Sequence, residues 1–74
     1  MLRAENLTVE VFIDEDDDGT TYAVALMLRN RDRRLLGRGS VRWPSGAPDR
    51  TGIDDEQIAA HALADLVRNV IHPG

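Results

Sequence analysis

The chain has no cysteine, no lysine, a single residue each of tryptophan, tyrosine and phenylalanine, and no apolar run longer than Tyr22 to Leu28. Without cysteine there is no disulfide and no thiolate metal site. With His61 and His72 as the only histidines, a closed zinc site is out of reach as well. The apolar run is far shorter than the roughly 20 residues that cross a bilayer. Met1 to Asn6 lacks the apolar segment of a secretory signal. A cytoplasmic protein that neither crosses nor binds a membrane is therefore expected. The absence of lysine makes all nine basic residues arginine. Codon usage in a GC-rich genome accounts for that, and a selected preference for the planar guanidinium is the other reading. The net charge of −4 argues against a general nucleic-acid binder.

What remains is small. Seventy-four residues make one domain near the lower limit for a self-sufficient core. A core of this size supplies about 3–5 kcal/mol unaided. With disulfides and metals excluded, self-association is the supplement left.

Along the chain, three stretches of period two are followed by one of helical period. Leu7, Val9, Val11 and Ile13 alternate with Thr8, Glu10 and Phe12, a strand buried on one side. Asp14-Glu15-Asp16-Asp17-Asp18-Gly19 is a turn whose glycine can take a positive φ. In the second strand Tyr22, Val24, Leu26 and Leu28 form one face and Ala23, Ala25 and Met27 the other. Both faces are apolar, as in a central strand. After a polar connection, Arg29 to Arg34, the third strand carries Gly37 and Gly39 on one side. Such spacing weakens a strand unless a helix crosses close by.

Pro44 to Gly52 reads as a loop. Asp54 precedes Gln57 by three residues, a capping-box start with Asp55 and Glu56 in the first turn. The helix stripe is Ile58, Ala59, Ala62, Leu63, Leu66, Val67 and Val70, with Gln57, His61, Asp65, Arg68 and Asn69 facing water and Pro73-Gly74 as the stop. The expected fold is α+β: one domain spanning 1–74, with a three-stranded antiparallel sheet (strands about 7–14, 20–29 and 35–43) and a C-terminal helix, about 55–71, on one face. One helix covers one face of a sheet. The other, expected to carry Phe12, Ala23, Ala25, Met27 and Leu36, is left apolar and points to a homodimer.

Ile13-Asp14-Glu15, Gly37-Arg38-Gly39, and Ile53-Asp54-Asp55-Glu56 leading into His61-Ala62-Leu63-Ala64-Asp65-Leu66 resemble a family of small actinobacterial proteins classed as dsRBD-like domains, from about Leu7 to Ile71. The resemblance implies a β-β-β-α core, sometimes with an added N-terminal helix, and a dimer. It also implies a shape similar to ribosome hibernation-promoting factors, and with it a stress or dormancy role. This sequence lacks residues for that helix, and has Arg38 and Ser40 where more apolar residues would be expected.

Few residues carry chemistry. Asp14, Asp16, Asp18 and Gly19 match the first half of a calcium loop, but the twelfth position, which needs a bidentate acid, is Ala25. A solvated turn or a weak cation site is expected there. Arg29, Arg31, Arg33, Arg34, Arg38 and Arg42, with Asp32, give that stretch a charge of +5 (six minus one). It could meet RNA or ribosomal phosphate, pair end to end between subunits, or simply keep the chain soluble. Phe12 is the single aromatic expected on the open face, too few for a stacking platform. His61 and Asp65 could pair across one helical turn, and neither Ser40 nor Ser45 sits in a nucleophile elbow. No enzyme activity, cofactor or small-molecule substrate is expected.

Overall fold

The computed structural model describes residues 1–44 and 54–72. The expected loop from Pro44 onward, apart from Pro44 itself, and the Pro73-Gly74 stop lie outside the described residues. The chain forms β1 (Leu7–Glu15), β2 (Thr21–Arg29), β3 (Arg34–Trp43) and α1 (Asp55–Ile71). The sheet order is β1-β2-β3, all antiparallel, which is the expected α+β fold.

Each element forms for a local reason. Between β1 and β2, the Gly19 N–H donates to the Asp16 carbonyl at 3.0 Å, and Gly19 takes φ 86°. At the start of α1, the Asp54 carboxylate accepts from the Gln57 N–H at 2.9 Å. The Gln57 side chain in turn accepts from the Asp54 N–H at 3.0 Å, completing the capping box. At the far end the His72 N–H donates to the Arg68 carbonyl.

The core lies between α1 and one face of the sheet. Ala23 and Ala25 from β2 meet Ile58, Ala62 and Leu66 from α1, with Val11, Met27, Val41 and Leu63 packed around them. Gly37 and Gly39 sit directly under the helix. A Cβ at Gly39 would collide with the backbone of Leu66 and Ala62, and one at Gly37 with the Val70 side chain. The glycine pair is therefore the helix seat, as its spacing suggested.

The expected open face requires correction. Ala23 and Ala25 are 1% and 0% exposed, and Met27 packs on the core, so all three lie beneath the helix. Register decides this: Phe12 pairs with Val24 and Val11 with Ala25. Directly paired residues share a face, so Phe12 stands with Tyr22, Val24, Leu26 and Leu28 on the uncovered side. A central strand apolar on both sides gives no sign of which face is inward. Here the smaller side chains face the helix because its backbone comes close. Leu36 is the extra residue of an irregularity opposite Met27 and Leu28. Leu28 pairs with Leu35 and Met27 with Gly37.

Nor does the helix stripe bury as a whole. Ile58, Ala62 and Leu66 are covered, whereas Val67 and Val70 are 50% and 40% exposed. The helix lies chiefly over β3 and β2 and only lightly over β1, so its flank toward β1 is left uncovered.

Candidate functional site

Three surface features stand out: the basic turn, the acidic hairpin and the two incompletely covered apolar surfaces.

Asp32 organises the basic turn. Arg29 donates to both its carboxylate oxygens, from Nε at 3.1 Å and from Nη2 at 2.7 Å, and the Arg34 N–H adds a third bond at 3.2 Å. These contacts, Arg29 foremost and then the Arg34 N–H, take the Asp32 carboxyl from 3.8 down to about 2. Arg33 adopts φ 57°, a left-handed conformation that β-turns usually give to glycine or asparagine. Arg31 and Arg33 approach Glu5 and Glu10 at 3.9 and 3.6 Å. Of the six arginines expected to contact RNA, Arg29, Arg31 and Arg33 thus face acids of their own chain. Arg42 is tied to Tyr22, and its pKa is raised chiefly by that hydrogen bond. Arg34 and Arg38 are exposed and form no ion pair among the described residues.

The acidic hairpin turns its carboxylates inward on local donors. Asp14 accepts from the Glu15 N–H, and Asp18 from the Thr20 N–H at 2.9 Å. Asp16 accepts from the Asp18 N–H at 3.2 Å and from the Tyr22 hydroxyl at 3.0 Å. Asp18 is held at about 2 by its hydrogen bond with Asp16 and then by the side chain and backbone of Thr20. Among the described residues, no three acidic or histidine side chains gather as metal ligands, so Asp14, Asp16 and Asp18 do not converge on a cation.

Asp65 and Asn69, expected to face water, hold the outer edge of β3. The Ser40 N–H donates to Asp65 at 2.9 Å, and the Asn69 side-chain amide donates to the Arg38 carbonyl at 2.8 Å. Arg68 also binds Asp65, and the Asp65 carboxyl lies below its ordinary range, first through Ser40 and then through Arg68. The partners of Asp65 are therefore Ser40, Arg68 and Asn69 in place of His61, whose ring lies 5.4 Å from that of Trp43. The sequence held one signal for this role. Asp65 and Asn69 share one flank of the apolar stripe, four residues apart.

The depressed carboxyls give a pH dependence of defined sign. An acid whose folded pKa lies below its unfolded value stabilises the fold above the unfolded value, and the contribution disappears as pH falls through the folded one. Asp18 and Asp32 move from 3.8 to about 2. Stability followed by circular dichroism should therefore fall as pH drops from about 4 to about 2. Asp32→Asn should fall less over that interval. An unchanged slope in the variant would show that Asp32 is not depressed.

The apolar surfaces complete the picture. On the uncovered side of the sheet Phe12 is 55% and Leu35 52% exposed. On the helix side Leu7, Val9 and Ile13 of β1 stay exposed where α1 does not reach. A shallow depression of about 480 Å³ lies between the N-terminal segment and the basic turn, lined by Arg3, Glu5, Asn6 and Asn30 among others. No helix of the described residues is long and apolar enough to cross a membrane.

A family model described as Rv2632c-like matches residues 5–73. No curated protein and no solved structure is matched.

Proposed function

The chain belongs to the Rv2632c-like family, and we propose that it works in the cytoplasm as a non-catalytic homodimer, through protein contacts, in a regulatory or stress- and dormancy-associated role. The observation that carries this reading is the apolar surface left open around a core that holds, among the described residues, five buried apolar ones. A core that small is marginal alone, and contiguous exposed apolar surface marks an association site. The motif residues Ile13-Asp14-Glu15 and Gly37-Arg38-Gly39, with the β-β-β-α order, support a dsRBD-like shape and the link to hibernation-promoting factors. Sedimentation equilibrium from one to one hundred micromolar tests the reading. Twice the chain mass of 8.2 kDa is expected, and a strict monomer throughout overturns it.

A ribosome- or RNA-associated role is the alternative, favoured by Arg34 and Arg38 standing exposed with no ion pair among the described residues. It requires co-sedimentation with ribosomes that weakens steeply with salt and disappears when Arg31, Arg33 and Arg34 become glutamate. Under the preferred reading the protein stays in the supernatant.

A further inference from the structure

We propose that the second copy joins along the free edge of β1, antiparallel, with the two-fold axis at Val11, so that two three-stranded sheets become one of six strands with both helices on the same side. This rests on the homodimer reading and names its interface.

The two outer strands differ in how their edges are closed. Hydrogen bonding in an antiparallel pair alternates along each strand. The Asn30 N–H donates to the Asn6 carbonyl at 3.0 Å, which sets the phase. With Leu7 paired to Arg29 and so on to Glu15 with Thr21, the even-numbered residues of β1 bond to β2. Leu7, Val9, Val11 and Ile13 turn their N–H and C=O groups outward. Carried across β2, the same phase turns Arg38 and Ser40 outward on β3. Those are the residues whose outward groups Asn69 and Asp65 bind.

The helix thus binds two outward groups at the middle of the β3 edge, the Ser40 N–H and the Arg38 carbonyl, and none on the β1 edge among the described residues. The Glu15 N–H is satisfied by Asp14 at 2.9 Å. From Leu7 to Ile13 no side chain of the described residues reaches the outward groups. β1 carries no proline and no bulge, and its charged residues lie on the far face (Glu10, Asp14) or beyond Ile13 (Glu15).

The surface beside this edge fits a copy of itself. Leu7, Val9 and Ile13 are 45%, 44% and 37% exposed because α1 leans toward β3. At 100° per residue, Val67 lies on the helix flank opposite Asp65 and Asn69, and it too is half exposed. A two-fold axis perpendicular to the sheet brings these surfaces of both copies together over the seam.

Charge and shape select the register. Centring on Val11 sets Val11 against itself and Val9 against Ile13 of the other copy, all β-branched, with Glu10 beside Phe12 on the far face. Centring on Glu10 would place two like charges directly opposite, which is unfavourable. Centring on Val9 would leave Ile13 beyond the paired stretch and set Phe12 against Asn6.

Val11→Pro is the direct test. It deletes an outward N–H and spares the β1–β2 ladder, whose bonds come from the even-numbered residues. A wild-type dimer and a Val11→Pro monomer with unchanged far-ultraviolet circular dichroism are expected, a twofold loss of mass. If wild type and variant are both dimers, the β1 interface is wrong and the homodimer reading stands. If wild type is a monomer, both fall.

A second test keeps the proposal falsifiable should the proline variant unfold. The chain has no cysteine, and hydrogen-bonded antiparallel partners lie about 5.5 Å apart at Cα, within disulfide reach. Val9→Cys mixed with Ile13→Cys should give a disulfide-linked dimer under mild oxidant, and Val9→Cys alone should not. Failure of the mixture to cross-link more than either variant alone overturns the register.

Discussion

Gly39→Val should leave most of the chain unfolded at 25 °C. Gly39 is buried at the point where α1 crosses β3, and a Cβ there would meet the Leu66 N, the Ala62 O and the Leu66 Cα. Backbone atoms have no rotamer to escape into, so the whole helix must lift. Lifting it separates Ile58, Ala62 and Leu66 from Ala23 and Ala25, which together form the buried core. Overpacking a site that can relax costs about 1–3 kcal/mol, and this site can relax only by giving up the core. A domain of this size holds about 3–5 kcal/mol in total. Urea denaturation followed by circular dichroism reads the effect, at fixed protein concentration because association raises apparent stability. Gly37→Ala is the comparison: its Cβ meets side-chain atoms of Val70 and Leu66 rather than backbone, and Val70 is 40% exposed at the end of the helix, so the loss should be smaller. A Gly39→Val protein within about 1 kcal/mol of wild type would mean that the helix does not sit where described.

Leu66→Ala should come next in severity. Leu66 is 1% exposed and is the largest fully buried side chain among the described residues. It lies at the middle of the helix face, with its backbone over Gly39 and its side chain beside Gly37. Removing such a side chain costs about 2–5 kcal/mol, the spread reflecting how far the surroundings collapse into the space. Collapse falls to the partly buried Val11, Met27, Val41 and Leu63 at the margin of the core, since its other buried residues besides Ile58 are alanines. The expected loss therefore approaches the whole stability of the domain. A thermal midpoint that fails to move by several degrees would place Leu66 outside the core.

Much of this architecture was legible beforehand, because local chemistry dictates it. The Asp54–Gln57 box fixes where α1 begins, since both side chains satisfy backbone groups that no other part of the helix can reach. The alternation from Leu7 to Ile13 and the Asp-rich turn ending in Gly19 specify the first hairpin for the same reason. The Gly37 and Gly39 pair announced a close crossing, and the helix crosses there.

The candidate surfaces were less legible. Asp65 and Asn69 look like ordinary solvated residues on a helix, and only the placement of α1 over β3 turns them into edge caps. The left-handed Arg33 and the triply bonded Asp32 had no sequence signal beyond a polar stretch.

By itself, then, the sequence determined the number and order of the four elements, because turns, caps and period-two alternation act within a few residues of one another. Only the tertiary structure decided which side of β2 lies under the helix. Tyr22 to Leu28 is apolar on both faces, so hydrophobicity favours neither. The choice falls to the registers that align Ala23 and Ala25 with Gly39 and Val41, the one side of the sheet flat enough for a helix backbone to approach.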